Sequence, residues 1–81
     1  MLRLRIVSPE RVEFDGEALR VNVPGTLGRF EILENHAPII SSLEKGDVEL
    51  IKPDGQSIVI TIMGGFVEVQ KNMVSICVEL S

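Results

Sequence analysis

The chain has 81 residues, of which 44% are hydrophobic, and this is enough for one packed domain but too little for two. Twelve acidic side chains outnumber eight basic ones, for a net charge of −4, and no stretch forms the basic patch that nucleic-acid binding requires. The one cysteine, Cys77, excludes an intrachain disulfide framework and indicates a reducing compartment.

The first half of the chain alternates apolar and polar residues from one position to the next. The alternating runs cover residues 2–6, 12–15 and 19–23. This period of two is typical of a strand with one buried face and one wet face. Arg3 and Arg5 therefore lie on the wet face of the first predicted strand and do not form a nucleic-acid site.

The second half continues the alternation, over residues 47–50, 67–70 and 74–80. One run differs, because Ser57–Met63 is apolar on both faces and rich in β-branched residues. That pattern predicts either a central strand or a strand covered by a partner. Cys77 falls within the last run, where we expect a half-buried thiol rather than a nucleophile.

Turn-forming residues separate the predicted strands at short intervals. They are Asp15-Gly16, Pro24-Gly25, Gly46-Asp47, Pro53-Asp54-Gly55 and Lys71-Asn72. Many short strands with regular turns indicate an all-β sandwich or small barrel over residues 1–81, with no helix longer than about two turns.

The residue inventory does not favour an enzyme. His36 is the single histidine and cannot build a multi-histidine metal site, and Cys77 has no CxxC partner. Glu31 and Glu34 could act as paired acid and base, although solvated loop carboxylates are the simpler interpretation. The glycines of Gly25–Gly28 have no Lys-Ser/Thr sequel, so a tight turn explains them better than phosphate binding. We therefore expect no catalytic, cofactor-binding or metal-binding residue.

The chain is also not expected to enter a membrane. The N-terminus starts directly with strand-like sequence and shows no signal peptide. The longest apolar stretch, Ile58–Val67, is interrupted by Thr61, Gly64 and Gly65 and is far shorter than the roughly 18 residues that a span needs.

Three stretches, in this order and spacing, carry a family resemblance. They are Val7-Ser8-Pro9-Glu10 followed by Phe14-Asp15-Gly16-Glu17-Ala18; residues 23–41, which include Gly25-Thr26 and Asn35-His36-Ala37-Pro38; and Gly64-Gly65-Phe66-Val67-Glu68-Val69 with Asn72 and Val74. Together they resemble the N-terminal domain of the epsilon chain of F-type ATP synthases, the counterpart of the mitochondrial delta chain. The resemblance spans essentially the whole chain.

The resemblance implies a two-sheet antiparallel β-sandwich of about ten short strands. It also implies a non-catalytic rotor subunit of the central stalk, without cofactors, which couples proton flow to ATP synthesis. Its partners would be the gamma subunit and the c-ring directly, and the alpha/beta head indirectly. Its place would be the cytoplasmic side of the bacterial inner membrane, where the complex holds it peripherally without direct membrane insertion.

Two sets of contact residues follow from the resemblance. The loop from Gly25 to Glu31 would face the c-ring through Leu27, Arg29, Phe30 and Glu31. The gamma-facing set would be His36, Pro38, Ile40, Ser41, Gly65 and Phe66. Two alternatives stay open: Phe30 could fold back onto the core, and His36 could simply bond to nearby backbone. Gly64 and Gly65 are expected to shape the backbone and so aim Phe66.

The chain departs from the family at two places. Glu31 and Glu34 stand where members commonly have glycine and proline, and the sequence ends at Ser81, where the family usually continues into a two-helix hairpin. That hairpin regulates ATP hydrolysis and in some members binds ATP. With Ser81 as the end, we expect a subunit that couples rotation without slowing hydrolysis and that binds no ATP.

A function from another class is a stand-alone β-sandwich module that binds a peptide or a sugar. Such a module would present surface aromatic residues in a groove. The chain has no Trp or Tyr, and its only aromatic residues of this kind are Phe14, Phe30 and Phe66. The aromatic content therefore favours the rotor subunit.

Overall fold

The structure is a computed structural model that describes residues 1–80. Within this range the chain forms nine strands and no helix, so no helix there could cross a membrane. The strands are β1 (Leu2–Val7), β2 (Val12–Ala18), β3 (Arg20–Gly25), β4 (Gly28–Leu33), β5 (Ile39–Leu43), β6 (Gly46–Ile51), β7 (Ser57–Ile62), β8 (Gly64–Gln70) and β9 (Met73–Glu79). The all-β prediction is confirmed, with nine strands rather than ten. The expectation about the chain's end at Ser81 lies outside the described residues.

All nine strands belong to one hydrogen-bonded sheet that curls over on itself. Its order is β2-β1-β9-β8-β5-β3-β6-β7, with β4 on the other side of β3. Every pair is antiparallel except β1 with β9, which run parallel. The two halves of the sheet meet at a single residue pair, Gly25 of β3 and Leu43 of β5. The predicted sandwich is therefore a sheet folded at this corner.

The core lies between the two halves, and every strand contributes to it. Its buried side chains are Leu2, Leu4, Ile6, Ala18, Val21, Val23, Ile32, Leu43, Val48, Leu50, Ile62, Val67, Val69, Val74, Ile76 and Val78. Within residues 1–80 no polar or charged side chain is buried. Burial of apolar surface, at roughly 25 cal/mol per Å², is the main force that stabilises so small a domain.

The turn predictions are correct where the turn is a tight hairpin. Pro53-Asp54-Gly55 and Lys71-Asn72 both reverse the chain between neighbouring strands. Asp15-Gly16 was a wrong prediction, because β2 runs straight through it and Gly16 pairs with Leu4 of β1. Pairing along a whole strand outweighs the local turn preference of two residues.

Two further turns lie beside the residues that predicted them. β3 continues through Pro24 to Gly25, and the chain reverses at 26–27 instead. Gly46 is the first residue of β6, so the chain turns just before it. Both predictions are therefore wrong by about two residues, within the usual uncertainty of element boundaries.

The apolar run that begins at Ser57 forms β7, which is an edge strand and not a central one. Among the described strands β7 pairs only with β6. Ile58 and Ile60 pack against the core and Ile62 is buried, whereas Val59 points outward and is about half exposed. The exposed Val59, with the exposed Met63 at the end of the run, made the run look buried on both faces.

Gly65 occupies a position in β8 that no other residue fits. Its φ is +151°, and a Cβ added there would lie 2.1 Å from the backbone oxygen of Cys77 on β9. Gly64 has no such restriction, because its nearest neighbour would be the Leu43 oxygen at 3.7 Å. The predicted backbone role of the glycine pair is therefore borne out at Gly65, the residue that precedes Phe66.

We expect Gly65→Ala to lower the free energy of unfolding by about 2 kcal/mol or more, because the new methyl group would force β8 away from β9. Urea denaturation measures this loss. Gly64→Ala is the matched control and should change the free energy of unfolding by less than about 1 kcal/mol. Equal losses in the two variants would show that the close approach to Cys77 does not restrict Gly65.

Candidate partner-binding surfaces

The predicted c-ring loop is a tight hairpin between β3 and β4. Gly25 pairs with Gly28, which leaves only Thr26 and Leu27 in the turn. Gly28 has a φ of +129°, a value that glycine adopts easily and other residues do not. The side chain of Leu27 at the tip is fully exposed, at 103% of its reference area. The hairpin thus presents one large apolar side chain at the end of the molecule.

The other three predicted c-ring residues lie on β4 rather than in a loop. Arg29 donates from Nε to Oδ1 of Asn22 at 2.9 Å, and Glu31 pairs with Arg20 at 3.5 Å. These side chains stay exposed on the outer face of the sheet. Phe30 is half-buried and packs against the core, as in the alternative considered above. The structure thus groups Leu27, Arg29 and Glu31 outward and turns Phe30 inward.

Two of the predicted gamma-facing residues share the outer face of β5 and β8. Ile40 pairs with Glu68, and Phe66 pairs with Ser42 of β5 and Cys77 of β9. All of these residues belong to the outer face of the sheet. Ile40 is 74% exposed and Phe66 is 50% exposed, so this face carries two large apolar side chains in contact with solvent. Ser41 belongs to the opposite face, because it lies opposite the buried Val67.

His36 and Pro38 precede β5, in a loop at the far end of β4 from Leu27. His36 is half-buried, and its backbone N–H donates to the Leu33 oxygen at 3.1 Å. Its ring Nδ1 lies 2.7 Å from the Ala37 oxygen, and its ring centre is 6.4 Å from that of Phe30. The backbone-bonded alternative for His36 is therefore observed, while Pro38 stays exposed.

A groove beside Phe66 was not found from the sequence. It has a volume of about 300 Å³ and a mostly apolar lining that includes Val7, Pro9 and the half-buried Cys77. Val7 and Cys77 are neighbours only because β1 and β9 pair in parallel. No local sequence pattern predicts which strands pair in this way. The one weak indication of an apolar surface was Val7, which is apolar but falls on the same face of the first strand as Arg3 and Arg5.

The start of β2, next to this groove, holds one carboxyl group with a shifted pKa. Glu13 accepts hydrogen bonds from Nε of Arg11 at 3.1 Å and from the Ser8 hydroxyl at 3.0 Å. Both bonds favour the ionised carboxylate, Arg11 more strongly, and they lower the pKa of Glu13 below its ordinary value. Ser8 also lines the groove, so this network lies at one of its walls. Within residues 1–80, no three His, Cys, Asp or Glu side chains are grouped as metal ligands.

We expect Arg11→Met to raise the pKa of Glu13 toward its ordinary value. Because the folded-state pKa is depressed, the stabilisation is present above the ordinary pKa and is lost as the pH falls through the folded-state value. An NMR titration of the Glu13 carboxyl carbon measures the shift. Arg5→Met is the control, since Arg5 has no hydrogen bond to Glu13, and an equal shift in both variants would contradict the assignment.

The comparison with known families matches residues 1–80 to a model described as the β-sandwich domain of the ATP synthase delta/epsilon chain. Two relatives are the ATP synthase epsilon chains of Dichelobacter nodosus, 42% identical over 91% of this chain, and Thermosynechococcus vestitus, 38% identical over 98%. The matches cover 52% and 56% of those relatives, so the chain spans about half their length.

Solved structures show the same fold at low identity. A chain of the mitochondrial ATP synthase of Euglena gracilis, solved with its c-ring, matches with a TM-score of 0.89 at 20% identity, over 95% of this chain and 49% of that one. A chain of the central stalk and c-ring of the Tetrahymena thermophila enzyme matches with a TM-score of 0.79 at 19% identity, over 96% and 63%.

Proposed function

Since the chain belongs to the ATP synthase delta/epsilon family, we propose that it is a non-catalytic rotor subunit in the central stalk of a proton-driven ATP synthase. The observation that carries this proposal is the family match over residues 1–80, together with relatives that are named ATP synthase epsilon chains. The comparisons favour this function over a stand-alone peptide- or sugar-binding module. The complex would hold the subunit at the cytoplasmic side of a bacterial inner membrane.

The proposed mechanism is mechanical. Proton flow turns the c-ring, the sandwich locks the ring to the gamma subunit, and gamma drives ATP synthesis in the alpha/beta head. A part that transmits torque must not deform, and close-packed apolar interiors have low compressibility. The core that all nine strands share suits this role.

The gamma subunit is proposed to bind the outer face of β5 and β8. Ile40 and Phe66 are the large exposed apolar side chains of that face, and the groove formed with Val7, Pro9 and Cys77 continues it. Exposed apolar patches mark interaction sites, and aromatic residues set beside a pocket are common anchors of binding energy. His36 and Pro38 would contribute from the loop before β5, and Gly65 would set the direction of Phe66.

We expect Phe66→Asp or Ile40→Asp to weaken binding of this chain to the gamma subunit by at least about tenfold, because a carboxylate would be desolvated in the contact. Titration calorimetry against purified gamma measures the affinity, and circular dichroism verifies the fold. Val59→Asp, at an exposed valine on β7 in the other half of the sheet, should leave the affinity unchanged. Unchanged affinity in the first two variants would remove this face from the gamma interface.

The c-ring is proposed to bind the β3–β4 hairpin. Leu27 is fully exposed at the tip, and the bond to Asn22 holds Arg29 on the outer surface of β4. Leu27 would pack between the polar loops of the ring, while Arg29 would pair with carboxylate or carbonyl oxygens there. A charge at the edge of an interface mainly affects how fast the two partners associate and in which relative position they dock. Glu31, bound to Arg20, lies beside them.

We expect Arg29→Glu in the assembled enzyme to lower the ATP synthesised per proton translocated, because the reversed charge would oppose docking on the ring. Synthesis and proton flux are measured together in reconstituted vesicles. Lys52→Glu makes the same charge change in the turn before β7, at the opposite end of β3 from the hairpin, and should leave coupling normal. Normal coupling and assembly in Arg29→Glu would contradict the hairpin assignment.

A further inference from the structure

Two asparagines that are far apart in the sequence are joined directly. The backbone N–H of Asn35, in the loop between β4 and β5, donates to Oδ1 of Asn72 at 2.6 Å. In return Nδ2 of Asn72 faces Oδ1 of Asn35 at 3.4 Å, a longer and weaker contact. The side chain of Asn72 thus connects the turn between β8 and β9 to the loop that carries His36 and Pro38.

The Asn72 side of this connection is firmly held. Lys71 and Asn72 both have positive φ, at 52° and 63°, and form the two-residue turn of the β8–β9 hairpin. Turns with two positive φ values match the twist of paired strands and favour asparagine. The Asn72 backbone oxygen also accepts from the N–H of Arg3 on β1 at 2.8 Å. Three strands therefore hold the backbone from which its side chain extends.

The loop side has little other support. Asn35 is itself in the left-handed region, at φ 66°, and the loop contains one backbone bond, from His36 to the Leu33 oxygen. The carboxylate of Glu34 pairs with the amino group of Met1, but both groups are exposed and such surface pairs contribute little. Pro38 has no N–H to donate. Apart from the half-buried His36 ring, which lies beside Phe30 of β4, the short bond to Asn72 is therefore the main connection between the middle of this loop and the sheet.

We propose that Asn72 is a positioning residue, whose side-chain oxygen holds the loop so that His36 and Pro38 lie where the gamma subunit binds them. This proposal rests on the proposed function of the chain. A loop that is already ordered loses less conformational entropy when it binds, so the bond raises affinity without touching the partner. Asn72 as a residue is half-buried, and its side chain reaches the backbone of the loop at Asn35.

Three variants separate positioning from general stability. Asn72→Gly keeps a residue suited to positive φ but removes the acceptor. Asn35→Gly is also a change from asparagine to glycine at a position with positive φ. It keeps the backbone N–H that donates the short bond. Asn72→Asp restores an acceptor oxygen at the original position. For all three, calorimetry gives the affinity for the gamma subunit from the same source, and amide exchange followed by NMR reports on the Asn35 N–H of the free chain.

We expect Asn72→Gly to weaken binding about five- to tenfold and to speed exchange of the Asn35 amide about three- to tenfold. In Asn35→Gly and Asn72→Asp, both the affinity for gamma and the exchange rate should stay within about twofold of the parent values. In Asn35→Gly the exchange is followed at the amide of the new glycine. Parent-like behaviour of Asn72→Gly, or equal losses in both glycine variants, would overturn the proposal. If the parent chain itself does not bind gamma, the proposed function fails together with the binding part of this inference, and exchange alone decides whether Asn72 holds the loop.

Discussion

The alternation between buried and exposed side chains is the constraint on which the rest of the structure depends. Each of the nine strands contributes apolar side chains to one shared core, and no polar side chain of residues 1–80 is enclosed there. A shift of one residue in any strand would bring its apolar set to the surface. Register is therefore strongly determined, and the same register points Ile40 and Phe66 outward while Ser41 points inward.

The surface charges contribute in a different way. Arg3 with Asp15 and Arg20 with Glu31 are exposed ion pairs across neighbouring strands, at 2.7 and 3.5 Å. Pairs of this kind add at most about 1 kcal/mol each to stability. Their effect is to cover the outer faces with polar groups. Leu27 and Phe66 are large apolar side chains that stay exposed among these polar groups, and these are the places where we propose that partners bind.

The two proposed contact regions belong to one continuous hydrogen-bonded sheet. The corner at Gly25 and Leu43 joins the halves of the sheet close to the base of the β3–β4 hairpin. Of the proposed gamma-facing strands, β5 begins after the loop with His36 and ends at that corner, and β8 begins beside the corner and runs back along β5. A force on Leu27 is thus passed through paired strands to Phe66, with no flexible linker between them. The proposed role, coupling the c-ring to the gamma subunit, requires such a continuous connection.

The sequence by itself determined the all-β class, most of the buried faces, the hairpin turns at Pro53–Gly55 and Lys71–Asn72, and the family. These features are local, because a period of two and the conformational preferences of turn residues act over a few positions. Only the tertiary structure decided that β1 pairs in parallel with β9, that Val7 and Cys77 form a groove beside Phe66, and that Asn72 supports Asn35. Those features join residues that are far apart along the chain. Which residues come together depends on how the whole sheet closes around its core. Alternation within a single strand does not determine this.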